Sequence, residues 1–260
     1  MADMNRRRAL LALTSVPLLV LPVHGETPQP YQVSLLSGGK IGEVLQAGLL
    51  VELQPGWKTY WRMPGDAGIP PQFDWAGSGN IAAIEVMFPI PGRFRDGSGE
   101  TIGYHDQVLF PLSVKPKNAS ETVQLQLNLF FAICKEVCIP ARAKIDLALT
   151  SAKASPLVGQ WRQRVPRVAG KDLTPPVSAA RVEIIGEKPM LVLSLSRTVE
   201  DIFVESPTSA YFGQPRFDQA PHEAWLPIAG LKDVAKLRGI PLTLTSAFGN
   251  SGIEQTLAVN

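Results

Sequence analysis

Thr122-Val-Gln-Leu-Gln-Leu-Asn-Leu-Phe-Phe131 is the stretch that decides the fold of this 260-residue chain. Its apolar side chains alternate with Gln, Gln and Asn, which is the period of two expected of a strand with one buried face. Similar short runs recur between turn residues, at Gln32–Leu36, Leu49–Leu53, Ile81–Phe88, Gln107–Val114 and Ala143–Leu149. Six or seven strands in roughly 120 residues predict an antiparallel β-sandwich.

The composition agrees with a chain of short strands. The sequence contains 23 Pro and 22 Gly, and so many helix-breaking residues argue against long helices. A hydrophobic content of 45% with 18% charged residues is enough to build a core. No strand–helix–strand alternation occurs in the first half, which disfavours a thioredoxin-like fold there.

A helix and a linker are predicted near the middle of the chain. Residues 151–166 include Ser155-Pro156, a good helix start, and Trp161 and Val165 at a four-residue spacing. Residues 168–176 read as a linker. Strand-like runs then resume at Arg181–Ile185, Pro189–Leu195, Asp201–Glu205, Pro241–Phe248 and Glu254–Val259. We therefore predict an all-β protein with a signal peptide over 1–25, a β-sandwich over 26–150, a helix and linker over 151–176, and a second, smaller β-sandwich over 177–260.

The first residues have the pattern of an export signal. Arg6-Arg7-Arg8 precedes an apolar run that reaches Val23, and Pro17 and Pro22 make this run unsuitable as a membrane span. Cleavage is expected after Gly25. The three arginines fit either the Sec route or the twin-arginine route. The sequence therefore predicts export to the periplasm.

The net charge excludes one class of partner. The full chain carries a formal charge of +2, and loss of residues 1–25 removes three arginines and one aspartate, which leaves a charge of about zero. A neutral chain with few clusters of Lys and Arg has no electrostatic attraction to nucleic acid. No later segment reaches 18 consecutive apolar residues, so we expect a soluble mature protein, and a monomer.

Two cysteines, Cys134 and Cys138, are the only ones in the chain. In an exported protein a disulfide is the first expectation for such a pair. A bridge that closes so short a loop removes little freedom from the unfolded chain, about 2 kcal/mol on the chain-entropy model. The spacing therefore favours thiol–disulfide exchange but leaves a structural bridge and a metal site open.

The flanking residues add modest support. Apolar residues such as Phe131 precede the pair and would shield a thiolate, and Lys135 would favour the ionised thiol if it lay close, although a solvated turn is the simpler interpretation. His105 and His222 do not complete a recognisable zinc pattern. Copper(I) could still bind two thiolates. We expect no cofactor for the exchange chemistry itself.

Several motifs in the same order resemble a known family. Gly99–Val114, Val123–Phe131, Cys134…Cys138-Ile-Pro140 and Ala143–Leu149 resemble the amino-terminal periplasmic domain of the thiol:disulfide interchange protein DsbD.

A second set of motifs is closer to the related ScsB (suppressor of copper sensitivity) branch. These motifs are Pro55–Asp66, Pro70–Trp75 and Gly77–Asn80, and residues 177–260 resemble the second β-sandwich of the ScsB amino-terminal region.

The resemblance implies an immunoglobulin-like β-sandwich and a redox role for Cys134 and Cys138, with Cys138 attacking partner disulfides. It places Tyr60 and Trp61 where the family keeps aromatic residues beside the active site, although both could equally be core residues. The family's aromatic cap loop corresponds to Arg93–Gly97, where Phe94 is the only ring.

The resemblance also implies partners. Family members accept electrons from a membrane-embedded reductant, of the DsbD or CcdA type, and pass them to periplasmic thioredoxin-fold proteins such as disulfide isomerases and cytochrome c maturation thioredoxins. DsbD and ScsB continue into a transmembrane domain and a thioredoxin-like domain, whereas this sequence stops at Asn260. We therefore expect a separate membrane protein as electron donor. The alternative is a non-catalytic interaction or copper-handling module whose cysteine pair is structural or binds copper(I).

Overall fold

A computed structural model describes residues 29–65, 68–96, 99–149, 154–218 and 222–260. The chain is mostly β-strand, at 64%, and its four sheets form two sandwich-like parts. The all-β prediction is therefore confirmed. The predicted export signal over residues 1–25 lies outside the described residues.

The first part is built from the strands between residues 31 and 149. In chain order they are β1 (Tyr31–Ile41), β2 (Val44–Leu53), β3 (Lys58–Gly65), β4 (Gln72–Asp74), β5 (Ile81–Val86), β6 (Gly92–Asp96), β7 (Gly99–His105), β8 (Gln107–Pro116), β9 (Val123–Cys134) and β10 (Cys138–Leu149). One sheet has the order β1-β2-β8-β5, and the other has the order β10-β9-β3-β7-β6 with β4 paired to β9.

Strand β9 behaves as its alternating sequence predicts. Val123, Leu125, Leu127 and Leu129 are at most 3% exposed and face the interior of the sandwich. The polar residues between them are exposed or half-buried on the outer face of the sheet. From Ala132 onward both faces of β9 are buried, which is the region where the cysteines begin.

The second part is built from the strands after residue 166. They are β11 (Arg167–Val168), β12 (Val177–Ile185), β13 (Lys188–Leu195), β14 (Asp201–Glu205), β15 (Tyr211–Phe212), β16 (Arg216–Asp218), β17 (Glu223–Ala229), β18 (Pro241–Phe248) and β19 (Ser251–Ala258). Their sheets have the orders β11-β19-β18-β14 and β12-β13-β17-β15, with β16 paired to β17. A 3-10 helix spans Val234–Leu237.

The junction holds a short helix, α1 (Pro156–Arg162), which begins at the predicted Ser155-Pro156 and is shorter than the predicted 151–166. Val158 and Trp161 on α1 are buried in the core of the first part. At the start of the predicted linker lies β11, which extends a sheet of the second part by pairing in parallel with β19. Within the described ranges, no helix is long and apolar enough to cross a membrane.

The two parts pack against each other through β3. Trp61 is fully buried and its ring lies 5.6 Å from that of Phe203, centroid to centroid. The guanidinium of the next residue, Arg62, donates to both carboxylate oxygens of Glu205 and also pairs with Glu254. Burial by itself lowers the pKa of Arg62, but the two carboxylates raise it above its ordinary value. Trp61 and Arg62 of the first part thus contact the second part through one buried aromatic pair and one set of ion pairs.

A second ion-pair cluster joins the β6–β7 hairpin to the second part. Arg93 pairs with Glu100 and with Asp201, 3.1 Å from its carboxylate, and the hydroxyl of Tyr211 donates to Glu100 at 2.6 Å. Burial alone would raise the pKa of Glu100, but the bonds from Tyr211, Arg93 and Arg95 outweigh it and lower that pKa. Glu100, only 5% exposed, is therefore held ionised.

Candidate redox site

The two cysteines lie at the tip of the β9–β10 hairpin. The strands pair over twelve residues each, from Val123 opposite Leu149 to Cys134 opposite Cys138. The two cysteines form a disulfide and their Cα atoms are 4.1 Å apart. The bridge closes a turn of three residues at the end of a ladder that already aligns the strands, so it adds little to the alignment.

The two sulfur-bearing residues differ in exposure. Cys134 is 1% exposed, whereas Cys138 is an exposed residue. Of the two residues, Cys138 is therefore the one at the protein surface. Exposed Val137 lies beside it in the turn, with 69% of its surface accessible.

Tyr60 of β3, the strand on the other side of β9, contacts the exposed cysteine of β10. Its hydroxyl lies 3.1 Å from Sγ of Cys138, and because a disulfide sulfur carries no proton, the hydroxyl is the donor. The Tyr60 ring is 1% exposed and packs with Ala132 and Cys134 on the outer face of the sheet. Thr59 ties the same strand to β9 by donating to the carbonyl of Ala132 at 2.9 Å.

Two of the expected flanking residues lie away from the sulfurs. Trp61 follows Tyr60 in β3 and therefore points to the opposite side, where it packs against Phe203. Phe131 is an odd number of residues from Cys134 and faces the interior, with its ring edge-on to Tyr31 at 5.1 Å. These two side chains act as core residues of the first part.

Phe94 lies on the same outer face as the cysteines. Its ring packs edge-on against His105, with centroids 4.2 Å apart. In the sheet, His105 of β7 lies opposite Lys58 of β3, and Lys58 lies opposite Cys134 of β9. Phe94 therefore packs on a residue that is two strands away from the bridge.

A buried lysine, Lys58 of β3, lies opposite Cys134 and is not among the site residues predicted from the sequence. Lys58 is 3% exposed and its Nζ donates to Thr101 Oγ1 at 2.9 Å. Lys135, the cation that the sequence places between the two cysteines, is exposed and donates to the carbonyl of Pro55 at 3.4 Å. The signal for Lys58 was its place between aromatic residues in Trp57-Lys-Thr-Tyr-Trp61.

An open groove of about 800 Å³ lies farther along the outer face of the same hairpin. Its lining includes Asp74, Asn128, Phe130, Arg142 and Lys144. The Arg142 guanidinium stacks on the Phe130 ring, 4.8 Å from the centroid. No cluster of three or more His, Cys, Asp and Glu side chains suited to a metal ion occurs in the described part of the chain.

Comparison with known proteins agrees with this geometry. Residues 28–150 match the family model described as thiol:disulfide interchange protein DsbD, N-terminal. This part of the chain belongs to the DsbD N-terminal domain family. The matched segment contains both sandwich sheets of the first part, the cysteine hairpin and Tyr60.

A solved structure extends the similarity beyond the DsbD family segment. The crystal structure of the N-terminal periplasmic domain of ScsB from Proteus mirabilis superposes with a TM-score of 0.69 at 20% sequence identity. The match covers 93% of this chain and 96% of that one. At this identity the similarity shows a shared fold across both parts. No curated protein matches the chain in sequence.

Proposed function

We propose that this chain is a periplasmic thiol–disulfide interchange protein that relays electrons through Cys134 and Cys138. The observation that carries the proposal is the asymmetry of the bridge, in which one sulfur belongs to an exposed residue and the other to a buried one. An exchange reaction needs one accessible attacking thiol and one protected resolving thiol. A bridge that served stability alone would need no such difference.

The reaction follows from this arrangement. The thiolate of reduced Cys138 attacks one sulfur of a partner disulfide, and the partner's other sulfur leaves as a thiolate. The Cys134 thiolate then attacks Cys138 in the mixed disulfide and releases the partner's second thiolate. The partner has gained two electrons, and this chain is left with its own disulfide.

Tyr60 is the group best placed to assist the attacking sulfur. A hydroxyl at 3.1 Å can donate to a thiolate as it does to the disulfide sulfur, and such a bond favours the ionised form. The helix N-terminus that activates many redox cysteines is absent from the hairpin tip, where the described neighbours are strands. We therefore expect slow reaction with small thiols and faster reaction with a partner protein that docks.

Membership of residues 28–150 in the DsbD N-terminal family supports the choice of partners. The electron donor is proposed to be a membrane electron carrier of the DsbD or CcdA type, and the acceptors to be periplasmic thioredoxin-fold proteins. The periplasmic location is supported by the residue pattern at the start of the chain and by the ScsB domain that shares the fold.

Trapping with single-cysteine variants tests the proposal. Cys134→Ala removes the resolving thiol, so a mixed disulfide with Cys138 should accumulate in periplasmic extracts and disappear on reduction. Cys138→Ala, whose remaining thiol is buried, is the matched control and should trap much less. If neither variant captures a partner and the pair has a reduction potential below about −300 mV, the bridge is structural and the proposal fails. Tight copper(I) binding to the reduced pair, without exchange, would instead support the copper-handling alternative.

A further inference from the structure

A row of exposed side chains leads along β10 from the exposed cysteine to the groove. Every second residue of a strand faces the same side, so Cys138, Pro140, Arg142 and Lys144 share the outer face, and all four are exposed. At about 3.3 Å per residue, Arg142 lies about 13 Å from Cys138 along the strand. An extended polypeptide lying on this row covers the same distance in four of its own residues.

The groove at the end of this row is lined by two cations, Arg142 and Lys144. Among the ion pairs of the described residues, none involves Arg142 or Lys144. The one carboxylate in the lining, Asp74, already accepts hydrogen bonds from the Ala76 amide and the Asn128 side chain.

The Arg142 guanidinium is exposed and lies over the Phe130 ring, 4.8 Å from its centroid. The backbone at this position is anchored separately, because the carbonyl of Arg142 accepts a hydrogen bond from the Tyr31 hydroxyl at 3.1 Å. A planar cation stacked on a ring is suited to bind a carboxylate.

We propose that the outer face of β10 binds an extended segment of the partner protein with an acidic residue four positions from the cysteine that Cys138 attacks. The inference rests on the exchange reaction proposed above, because that reaction must bring the partner's cysteine to Cys138. The carboxylate then meets Arg142, with Lys144 beyond it. The groove thus selects which disulfides react, while the cysteine pair performs the exchange.

Peptide substrates test this directly. Each peptide is extended and carries one cysteine, blocked as a mixed disulfide with 5-thio-2-nitrobenzoate. Attack by the fully reduced chain on the peptide sulfur releases the coloured thiolate, and Cys134 then displaces the peptide. Two sets of peptides, extending to either side of the cysteine, carry Glu, Gln or Lys at offset four or at offset three, which faces away from the row.

In one of the two sets, the Glu peptide at offset four should react about two- to fivefold faster than its Gln counterpart, and the Lys peptide more slowly than either, as expected for an exposed ion pair. The advantage should shrink at high salt and vanish in Arg142→Gln. Arg197→Gln is the matched control, because Arg197 is also exposed and stacks on an aromatic ring, Phe248, far from the hairpin.

Three results would overturn the groove assignment while leaving the exchange function intact. They are equal rates for the Glu and Gln peptides, a faster rate for the Glu peptide that persists in Arg142→Gln, and an equally faster rate for Glu at offset three. If no peptide reacts faster with the reduced chain than with its Cys138→Ala variant, the exchange function itself fails, and the groove assignment fails with it.

Discussion

Reduction of the Cys134–Cys138 bridge should cost this protein little stability. The bridge closes a loop of five residues, counting both cysteines. On the chain-entropy model a loop of that size contributes about 7 cal/mol/K, or about 2 kcal/mol at 25 °C. Loops of the size found in structural bridges contribute about 3–5 kcal/mol.

The native structure gives no reason for a larger effect. Reduction removes no side-chain atoms, so it creates no cavity at buried Cys134, and it breaks none of the backbone pairing between β9 and β10. The two sulfurs must separate to non-bonded distance, which exposed Cys138 can accommodate. A difference of 2 kcal/mol corresponds to about 40 mV for a two-electron couple. The folded bridge should therefore be only about 40 mV harder to reduce than the same cysteine pair in the unfolded chain.

Urea unfolding of the oxidised and reduced protein measures this difference. With an m-value of about 2 kcal/mol/M, reduction should lower the midpoint by about 1 M. A variant with alanine at both Cys134 and Cys138 is the control, because a reducing agent should not change its midpoint. A loss of about 4 kcal/mol or more on reduction would refute the reasoning and identify the bridge as a structural staple.

Three further predictions concern Tyr60 beside the bridge and two contacts between the two parts of the chain. Tyr60→Phe should slow alkylation of reduced Cys138 by iodoacetamide about tenfold at neutral pH, because a bond to a charged sulfur is lost; an unchanged rate would exclude that bond. Glu100 has a lowered pKa in the folded state, so its contribution to stability is present above its ordinary pKa of 4.5 and is lost as the pH falls through the lower folded value. Glu100→Gln should therefore cost roughly 2–4 kcal/mol at pH 7, and this cost should shrink progressively as the pH is lowered below 4.5, in urea titrations across that range; a cost that does not change with pH would contradict the assignment. A Cβ at Gly252 would lie 2.2 Å from Ile90 Cδ1, so Gly252→Val should reduce the unfolding free energy by about 1–3 kcal/mol, and a thermal midpoint unchanged from wild type would show that the contact between the two parts yields freely.

The sequence predicted two kinds of strand, those in which polar and apolar residues alternate and those that are runs of apolar or β-branched residues. β9 and β10 have clean alternation because their outer faces meet solvent over most of their length, and β14 and β18 were predicted at their observed bounds. β7 was missed because its sequence, Gly-Glu-Thr-Ile-Gly-Tyr-His, contains two glycines and no apolar run, and because Glu100 and Thr101 are polar residues that only the tertiary structure buries.

For the site, too, some features follow from the sequence alone and others only from the tertiary structure. The sequence alone determined the cysteine pair, the alternating strand that leads to it and the start of the helix at Ser155-Pro156, because each is a local pattern read within a few residues. Only the tertiary structure decided that Cys138 is exposed and Cys134 buried, that Tyr60 rather than Trp61 contacts the sulfur, and that Lys58 stands beside the pair. Those facts depend on β3 pairing with β9 across more than 70 residues of chain, and no short-range pattern encodes which distant strand becomes the neighbour.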